Sequence, residues 1–181
     1  MDCAFVPMFP AARVDDDVFR AEPLRNGVDL RRLAGCFPTG VAVVMTKDES
    51  GRVYGTTMNS VTSLSLEPPL YLMCFGPQSN TFPVLFKTRS FCLNFLSAHQ
   101  ETVARIFATK AADKVAGIGY SLGKNGLPIL DGVVAACEGR LVASYPGGDH
   151  VIVIGSVERA HVTDGEPLVF HRGQYRRMNS E

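Results

Sequence analysis

The chain has 181 residues, which fits one domain or one domain with a tail and is enough to bury a full hydrophobic core. Its 18 basic and 18 acidic residues give a formal net charge of zero, so we do not expect the sequence-independent nucleic-acid binding that requires a basic face. No uninterrupted apolar run is long enough to span a bilayer, so we expect no membrane insertion.

The N-terminal segment 1–27 is predicted to be a flexible or loosely docked arm, followed by one domain at 28–181. The segment opens with an acidic residue and lacks the basic start and apolar core of a signal peptide. The five cysteines form no CxxC pair, and Cys74 and Cys92 lie in apolar runs, where a thiol behaves as a small hydrophobe. Reduced thiols without an export signal predict a cytoplasmic protein.

The first predicted elements are a helix and a β-hairpin. Apolar residues at helical spacing predict a helix over 28–37, which ends at Pro38. The β-branched run at 41–46 predicts a buried strand. Turn residues at 48–51 predict that the segment 52–58 returns as its hairpin partner.

Strands dominate the rest of the chain. Strands are predicted at 71–75, 90–96, 133–145 and 150–162, with a last short strand within 168–178. At least one helical turn is predicted within 79–87, a helix at 98–110, and a long Gly-rich loop at 113–130. Because these strands do not alternate regularly with helices, we predict a mainly β fold, a closed antiparallel β-barrel with peripheral helices.

Several well-known enzyme motifs are present only in part. The segment GYSLG at 119–123 matches the G-x-S-x-G nucleophile elbow, but Gly126 and Pro128 follow where that motif needs a helix. The glycines of the same loop miss the dinucleotide-binding spacing by one residue and lack its strand and helix. The four histidines show neither HxH nor HxxxH pairing, so no metal site is expected.

Two groups of polar residues remain as candidate sites. One combines TTMNSVTSLS at 56–65 with PTG at 38–40, where short donors beside flexible backbone can bond phosphates or the polar edge of a heterocycle. A Ser/Thr-rich strand pair with one face in solvent explains the same composition equally well. The other combines PGGDH at 146–150 with HRGQY at 171–175, although a histidine at a turn is more often structural or merely exposed.

Taken in order, these segments resemble the flavin reductase-like family, the small reductase components of two-component flavin-dependent monooxygenases. Each segment is weak evidence alone, but their ordered succession over most of the chain is specific. The segments are CFPTGVAVVMT at 36–46, TTMNSVTSLSLEPPL at 56–70, SNTFPVL at 79–85, SFCLNFLS at 90–97, DKVAG at 113–117, GLPILDG at 126–132, GGDHVIVIGSVERA at 147–160 and HRGQYRRM at 171–178.

The resemblance implies a split β-barrel of Greek-key, FMN-binding type that works as a homodimer. It also implies an NAD(P)H:flavin oxidoreductase, which transfers hydride from NADH or NADPH to FAD or FMN. The free reduced flavin would then be supplied to a partner monooxygenase. We expect FAD in preference to FMN. We also expect NADH in preference to NADPH, because no arginine cluster is evident to receive a 2′-phosphate.

The same resemblance assigns the site residues. His150 corresponds to the histidine of the family's GDH motif, close to the nicotinamide, and is the predicted catalytic residue; the sequence allows it either to orient that ring or to exchange a proton. Tyr175 is expected to contact the same cofactor. The residues expected to contact the flavin are Thr39 and Gly40 beside the ring, Thr57, Asn59 and Ser60 at its polar edge or ribityl chain, Ser79 and Thr81 near the ribityl chain or phosphate, Asn94 and Phe95 along the pocket wall, and Lys114 near phosphate.

Three other functions fit a similar barrel. The first is a non-catalytic flavin-binding or haem-binding module, and the second is an enzyme similar to pyridoxamine-phosphate oxidases. The third is a β-barrel interaction protein without a ligand. The pairing of a GDH motif with HRGxY favours the reductase over the first two.

Overall fold

The computed structural model describes residues 27–111 and 113–178, which divide into two units, Met1–Ala34 and Gly35–Glu181. Helix α1 (Gly27–Gly35) lies almost wholly in the first unit. Of the predicted N-terminal arm, all but Gly27 lies outside the described residues. None of the described helices is long and apolar enough to cross a membrane.

The second unit contains two further helices, α2 (Thr81–Thr88) and α3 (Glu101–Ala108), and antiparallel strands. The strands are β1 (Thr39–Gly40), β2 (Ala42–Lys47), β3 (Val53–Met58), β4 (Val61–Ser65), β5 (Leu70–Phe75), β6 (Ser90–Phe95), β7 (Tyr120–Leu122), β8 (Pro128–Leu130), β9 (Ala135–Gly147), β10 (His150–Val162), β11 (Val169–His171) and β12 (Gln174–Arg176). The prediction of a mainly β fold is therefore confirmed.

Seven of these strands form the main sheet, in the order β3-β2-β6-β9-β10-β5-β4. Strand β2 shows why the centre of this sheet is apolar on both faces. Val43 and Met45 pack in the core shared with α3, whereas Ala42 and Val44 pack in a second core that includes Leu85 of α2. Because both faces are covered, residues 42–45 of this strand form an unbroken apolar run and do not alternate with polar residues.

The two edge strands of the main sheet, β3 and β4, are consecutive in the chain. Only Asn59 and Ser60 separate Met58 from Val61, and three Cα–Cα steps span at most about 11 Å. The edges of a flat seven-stranded sheet would lie about 29 Å apart, at about 4.8 Å per strand. The sheet must therefore curl until the end of β3 meets the start of β4.

A curled sheet becomes a closed barrel only if its two edge strands, β3 and β4, also form hydrogen bonds with each other. Among the described residues, β3 pairs only with β2 and β4 pairs only with β5, so the prediction of a closed barrel is not confirmed. The link between the edges is nevertheless anchored, because the Cys74 N–H donates to the Ser60 carbonyl oxygen at 3.0 Å.

The hairpin of β9 and β10 joins the two halves of the main sheet. Each strand has 13 residues. Residues 135–140 of β9 pair with β6, and residues 151–156 of β10 pair with β5. The pairing of β9 with β10 shifts register between Ile154 and Gly155 and again between Val157 and Arg159.

Two glycines of this hairpin are required by the close approach of other atoms. A Cβ at Gly139 would lie 2.0 Å from the Ser156 carbonyl oxygen, and a Cβ at Gly155 would lie 2.3 Å from Cε1 of Phe91. The fully buried Phe91 ring therefore packs directly on backbone. Any side chain at either glycine would overlap its neighbours.

Three segments differ from their sequence-based predictions. The predicted loop at 113–130 contains the small hairpin of β7 and β8, and the predicted last strand within 168–178 is a second hairpin, of β11 and β12. Three-residue strands are too short to show an alternating pattern. The segment TTMNSVTSLS at 56–65 contains the end of β3 and all of β4, but among the described residues these strands do not pair with each other; Asn59 and Ser60 lie between them, and β4 shifts register against β5 between Ser63 and Ser65.

Candidate functional site

His150 is the first residue of β10, next to the turn that follows β9. Its Nδ1 lies 2.7 Å from Oδ1 of Asp149. Because a carboxylate only accepts hydrogen bonds, Nδ1 carries a proton, and in the neutral ring Nε2 is left as an acceptor. A Cβ at Gly76 would lie 3.5 Å from Nε2, so the loop after β5 passes beside the Nε2 edge of the ring.

The loop from Gly76 to Thr81 connects β5 to α2. Its backbone is closed by the Ser79 N–H, which donates to the Gly76 carbonyl oxygen at 3.1 Å. The Ser79 hydroxyl accepts from the Phe82 N–H at 3.2 Å, which ties the loop to the first turn of α2. The Thr81 side chain is fully buried, and its hydroxyl oxygen has no hydrogen-bond partner in the described part of the chain.

Asn59 and Ser60 lie close to this loop. The Ser60 carbonyl oxygen accepts a hydrogen bond from the Cys74 N–H, and Cys74 is only two residues before Gly76, where the loop begins. Both Asn59 and Ser60 are exposed, and the described contacts include no hydrogen bond from either side chain. The structure therefore gathers Asn59, Ser60 and the 76–81 loop at the carboxyl end of β5, which is also where β10 begins with His150.

Thr39, Gly40 and Tyr175 form a separate group on the sheet of β1, β11 and β12. Thr39 pairs with Phe170, and Phe170 pairs with Tyr175. The Thr39 hydroxyl is the other buried side-chain oxygen that lacks a partner among the described residues. A Cβ at Gly40 would meet no atom within 4 Å, so open space lies beside this strand.

Tyr175 is held by two neighbours. Its ring packs edge-on against Phe170 with centroids 5.3 Å apart, and the Arg105 guanidinium lies 5.1 Å from its centroid. Burial raises the pKa of the Tyr175 phenol, which therefore stays protonated at neutral pH. No described contact joins Tyr175 to His150.

The polar groups of three other predicted site residues are bonded within the protein. The Thr57 hydroxyl donates to the Ala104 carbonyl oxygen at 2.7 Å and ties β3 to α3. The Lys114 ammonium donates to the carbonyl oxygens of Gly55 and Phe107, at 3.0 Å each. Desolvation lowers the pKa of Lys114.

Asn94 is the third of these residues and is fully buried. Its amide donates to the Pro128 carbonyl oxygen at 3.3 Å, and its Oδ1 accepts from the Leu130 N–H at 2.9 Å, so it fastens β8 to the sheet. Phe95, the next residue, is half-buried, with its ring centroid 5.8 Å from that of Tyr71. All described contacts of Asn94 are with the protein, so its predicted place on a pocket wall stays a prediction.

Sequence reasoning overlooked two residues beside the histidine. Asp149 orients the imidazole, and the signal was its position directly before His150 in PGGDH. Gly76 lies next to Nε2, and its only signal was its position immediately after the apolar strand β5.

Comparison with known proteins gives a consistent result. A flavin reductase from Pseudomonas putida is 40% identical over 86% of this chain and 94% of its own length. The reductase subunit of a flavin-dependent monooxygenase from Rhodococcus jostii is 36% identical over 80% of this chain and 74% of its own.

The solved structures agree. An NADH:FAD oxidoreductase from Streptomyces globisporus, solved with NAD and FAD fragments, superposes with a TM-score of 0.82 at 37% identity, covering 88% of this chain and 98% of its own.

The family model described as flavin reductase like domain matches residues 34–179. These matches confirm the resemblance that the sequence motifs indicated. The chain belongs to the family of flavin reductase like domain proteins.

Proposed function

We propose that the chain is an NADH-dependent flavin reductase that reduces FAD, or FMN, and supplies it to a partner monooxygenase. The observation that carries the proposal is the cluster at the carboxyl end of β5, where Asn59, Ser60 and the 76–81 loop lie beside an oriented histidine. The names of the relatives from Pseudomonas putida and Rhodococcus jostii support the activity and the partner.

The chemistry of this region fits a flavin. A flavin presents a polar pyrimidine edge, a hydroxylated ribityl chain and phosphate, all of which need hydrogen-bond donors and acceptors. Asn59 and Ser60 have side chains without a described partner, and the Thr81 hydroxyl oxygen is buried with no partner among the described residues. A buried hydroxyl without a partner costs about 1–3 kcal/mol, so a ligand that bonds to Thr81 would remove that cost.

When bound, the flavin supplies the ring that accepts hydride from the nicotinamide. The role of the protein is to hold the two rings in contact and to exclude water. His150, fixed by Asp149, directs Nε2 toward the nicotinamide side of the site. Asn59 and Ser60 hold the polar edge of the flavin, and Thr81 holds its ribityl or phosphate region. No side chain has to act as a nucleophile.

We further propose that the catalytic domain spans 28–181, with 1–27 as an arm, and that its sheet is a split barrel of Greek-key type. The curl that brings β3 and β4 together supports the barrel, because the sheet is drawn together at Asn59 and Ser60 but unpaired along its edges. A barrel split in this way leaves backbone groups at the opening available to a ligand.

The activity is tested by following NADH oxidation at 340 nm with each combination of FAD or FMN and NADH or NADPH. We expect turnover that depends on added flavin and is faster with NADH than with NADPH. A protein that binds flavin or haem but oxidises neither nucleotide would instead be a non-catalytic binding module. Failure to bind any flavin would indicate an interaction protein without a ligand.

Replacing Asn59 with Leu is expected to lower flavin affinity about tenfold, a loss of about 1.4 kcal/mol, because leucine cannot bond the polar edge of the ring. The measurement is a fluorescence titration of the full chain with FAD and with FMN. Asn59→Ser is the matched variant, since it keeps a short polar group and should retain more of the affinity. Unchanged affinity in Asn59→Leu would remove this residue from the site.

The homodimer is supported by an apolar sheet face that lacks cover among the described residues. On β9, β10 and β5, the row Tyr145, Ile152 and Cys74 lies beside a second row that contains Ile154 and Leu72. None of these five side chains belongs to either hydrophobic core. An apolar patch of this kind on a soluble domain marks an interaction surface, and we propose that a second copy of the chain covers it.

Replacing Ile152 with Asp is expected to convert the dimer to a monomer, because an unpaired carboxylate would be buried at the centre of the interface. Size-exclusion chromatography with light scattering gives the mass. Val162→Asp is the control, since Val162 is on the same strand, is 75% exposed and lies outside the face. A dimeric Ile152→Asp variant, or a monomeric wild type, would rule out this face.

A further inference from the structure

We propose that the chain has a second binding site, which takes a small organic acid with one carboxylate and an apolar body. The site is a pocket of about 380 Å³ between the hairpin of β7 and β8 and the hairpin of β9 and β10. Its volume lies within the range of small-molecule sites, about 300–1,000 Å³. Its walls include Leu122, Ile129 and Ala136, and three basic side chains line it as well: Lys124, Arg159 and His161.

Arg159 is held in place by a neutral partner. Its Nε donates to Oδ1 of Asn125 at 3.1 Å, and Nδ2 of Asn125 donates to Oε2 of Glu158 at 2.7 Å. The described contacts include no carboxylate paired with Arg159 and no hydrogen bond from its terminal nitrogens. A guanidinium held by Nε alone presents its remaining N–H groups as a fork, which matches a carboxylate.

Lys124 lies in the turn between β7 and β8, and the buried side chain of Glu138 holds this turn in place. Glu138 lies under this turn with 3% of its surface exposed, and its Oε1 accepts from the N–H groups of Asn125 at 3.0 Å and Leu127 at 3.4 Å. A Cβ at Gly123 would lie 2.5 Å from the same carboxylate, so the turn packs tightly on it. Lys124 itself makes no hydrogen bond or ion pair with the described residues.

The balance of charge favours one negative charge on the ligand. Lys124 and Arg159 supply two positive charges without an ion-pair partner among the described residues, whereas the buried carboxylate of Glu138 also lines the pocket and would repel a dianion. The apolar walls favour a hydrophobic body attached to the acid. Together these features select a monocarboxylate such as an aromatic acid, and they disfavour inorganic phosphate.

The pocket is separate from the proposed flavin site. Arg159 is nine positions after His150 on β10, which is about 30 Å along a strand at about 3.3 Å per residue. A nicotinamide held at His150 therefore does not contact Arg159 of the same chain. The direct titrations of the second site therefore contain no flavin or nucleotide, which enter only in a separate displacement experiment, so failure of this site and failure of the proposed reductase activity are distinguishable.

The experiment is isothermal titration calorimetry of the full chain with benzoate, benzamide or inorganic phosphate. We expect benzoate to bind one site per chain with a dissociation constant of about 1 mM or lower, and benzamide, which has the same shape without charge, to bind at least about tenfold more weakly. Arg159→Gln and Lys124→Gln should each weaken benzoate binding about tenfold. Lys87→Gln is the control, because Lys87 is exposed, pairs with Glu49 and does not line the pocket.

Three results would overturn the proposal. Benzoate that shows no saturable binding, or that binds Arg159→Gln as well as wild type, would exclude the site. Phosphate that binds as tightly as benzoate would show that the apolar walls do not select the ligand. Displacement of benzoate by FAD or NADH would assign the pocket to the cofactors and would exclude a separate site.

Discussion

Replacing His150 with Ala is expected to lower kcat/KM for NADH on the order of 10²-fold and to change flavin affinity less than about twofold. The imidazole lies beside Gly76 with Nε2 as an acceptor, so its loss removes a group that orients the nicotinamide or exchanges a proton with it. Steady-state kinetics with varied NADH at saturating flavin measures the first effect. A flavin titration measures the second.

His99→Ala is the control for this substitution. His99 is an exposed histidine whose Nδ1 lies 3.4 Å from Nη2 of Arg177, and its described contacts include no residue of β5 or of the 76–81 loop. We expect its kinetics to match wild type. If the His150→Ala variant used NADH as efficiently as wild type, His150 would have to be dropped from the site, whereas equal losses in NADH use and flavin affinity would indicate a general structural defect.

The largest expected effect on stability comes from the two glycines of the β9–β10 hairpin. Gly139→Ala and Gly155→Ala should each destabilise the fold by about 3 kcal/mol, because each new Cβ would overlap a packed atom. At about 2–4 °C per kcal/mol for a chain of this size, the midpoint of thermal unfolding should fall by about 6–12 °C. Gly40→Ala, where a Cβ meets no atom within 4 Å, should be close to wild type.

The two glycine variants should respond differently to a second change. The nearest contacts of a Cβ at Gly155 are ring atoms of Phe91, so the double variant Phe91→Leu, Gly155→Ala should be more stable than the sum of the single effects predicts. The Cβ at Gly139 meets the Ser156 carbonyl oxygen at 2.0 Å, and a smaller residue 91 cannot move that backbone atom. Equal rescue of both variants would show that Phe91 alone makes these glycines necessary.

Local patterns predicted the local elements well. The hairpin of β2 and β3 and the strands β5, β6, β9 and β10 lie within two residues of their predicted bounds, because long apolar runs and turn residues mark them. The strand order could not be predicted in this way. It depends on β9 pairing with β6 and β10 with β5, contacts between segments that are far apart in the sequence.

The sequence predicted which polar residues are candidates for the site, but not which of them lie together in the folded chain. Asn59 and Ser60 stand out because they interrupt two strands, and they remain without described side-chain partners. Asn94 and Lys114 look equally polar in the sequence, yet their polar groups are bonded to backbone carbonyl and N–H groups inside the fold. Only the tertiary structure tells which polar side chains are still available to a ligand.

The topology of the main sheet limits how the proposed flavin groove can open. The β9–β10 hairpin joins the two halves of the sheet, because among the described residues it is the only strand pairing that connects the β3-β2-β6 half with the β5-β4 half. At the opposite edges of the sheet, Asn59 and Ser60 link β3 to β4, and this link holds the Cα atoms of Met58 and Val61 within about 11 Å of each other. The length of this link therefore limits how far the two halves of the sheet can separate at this edge.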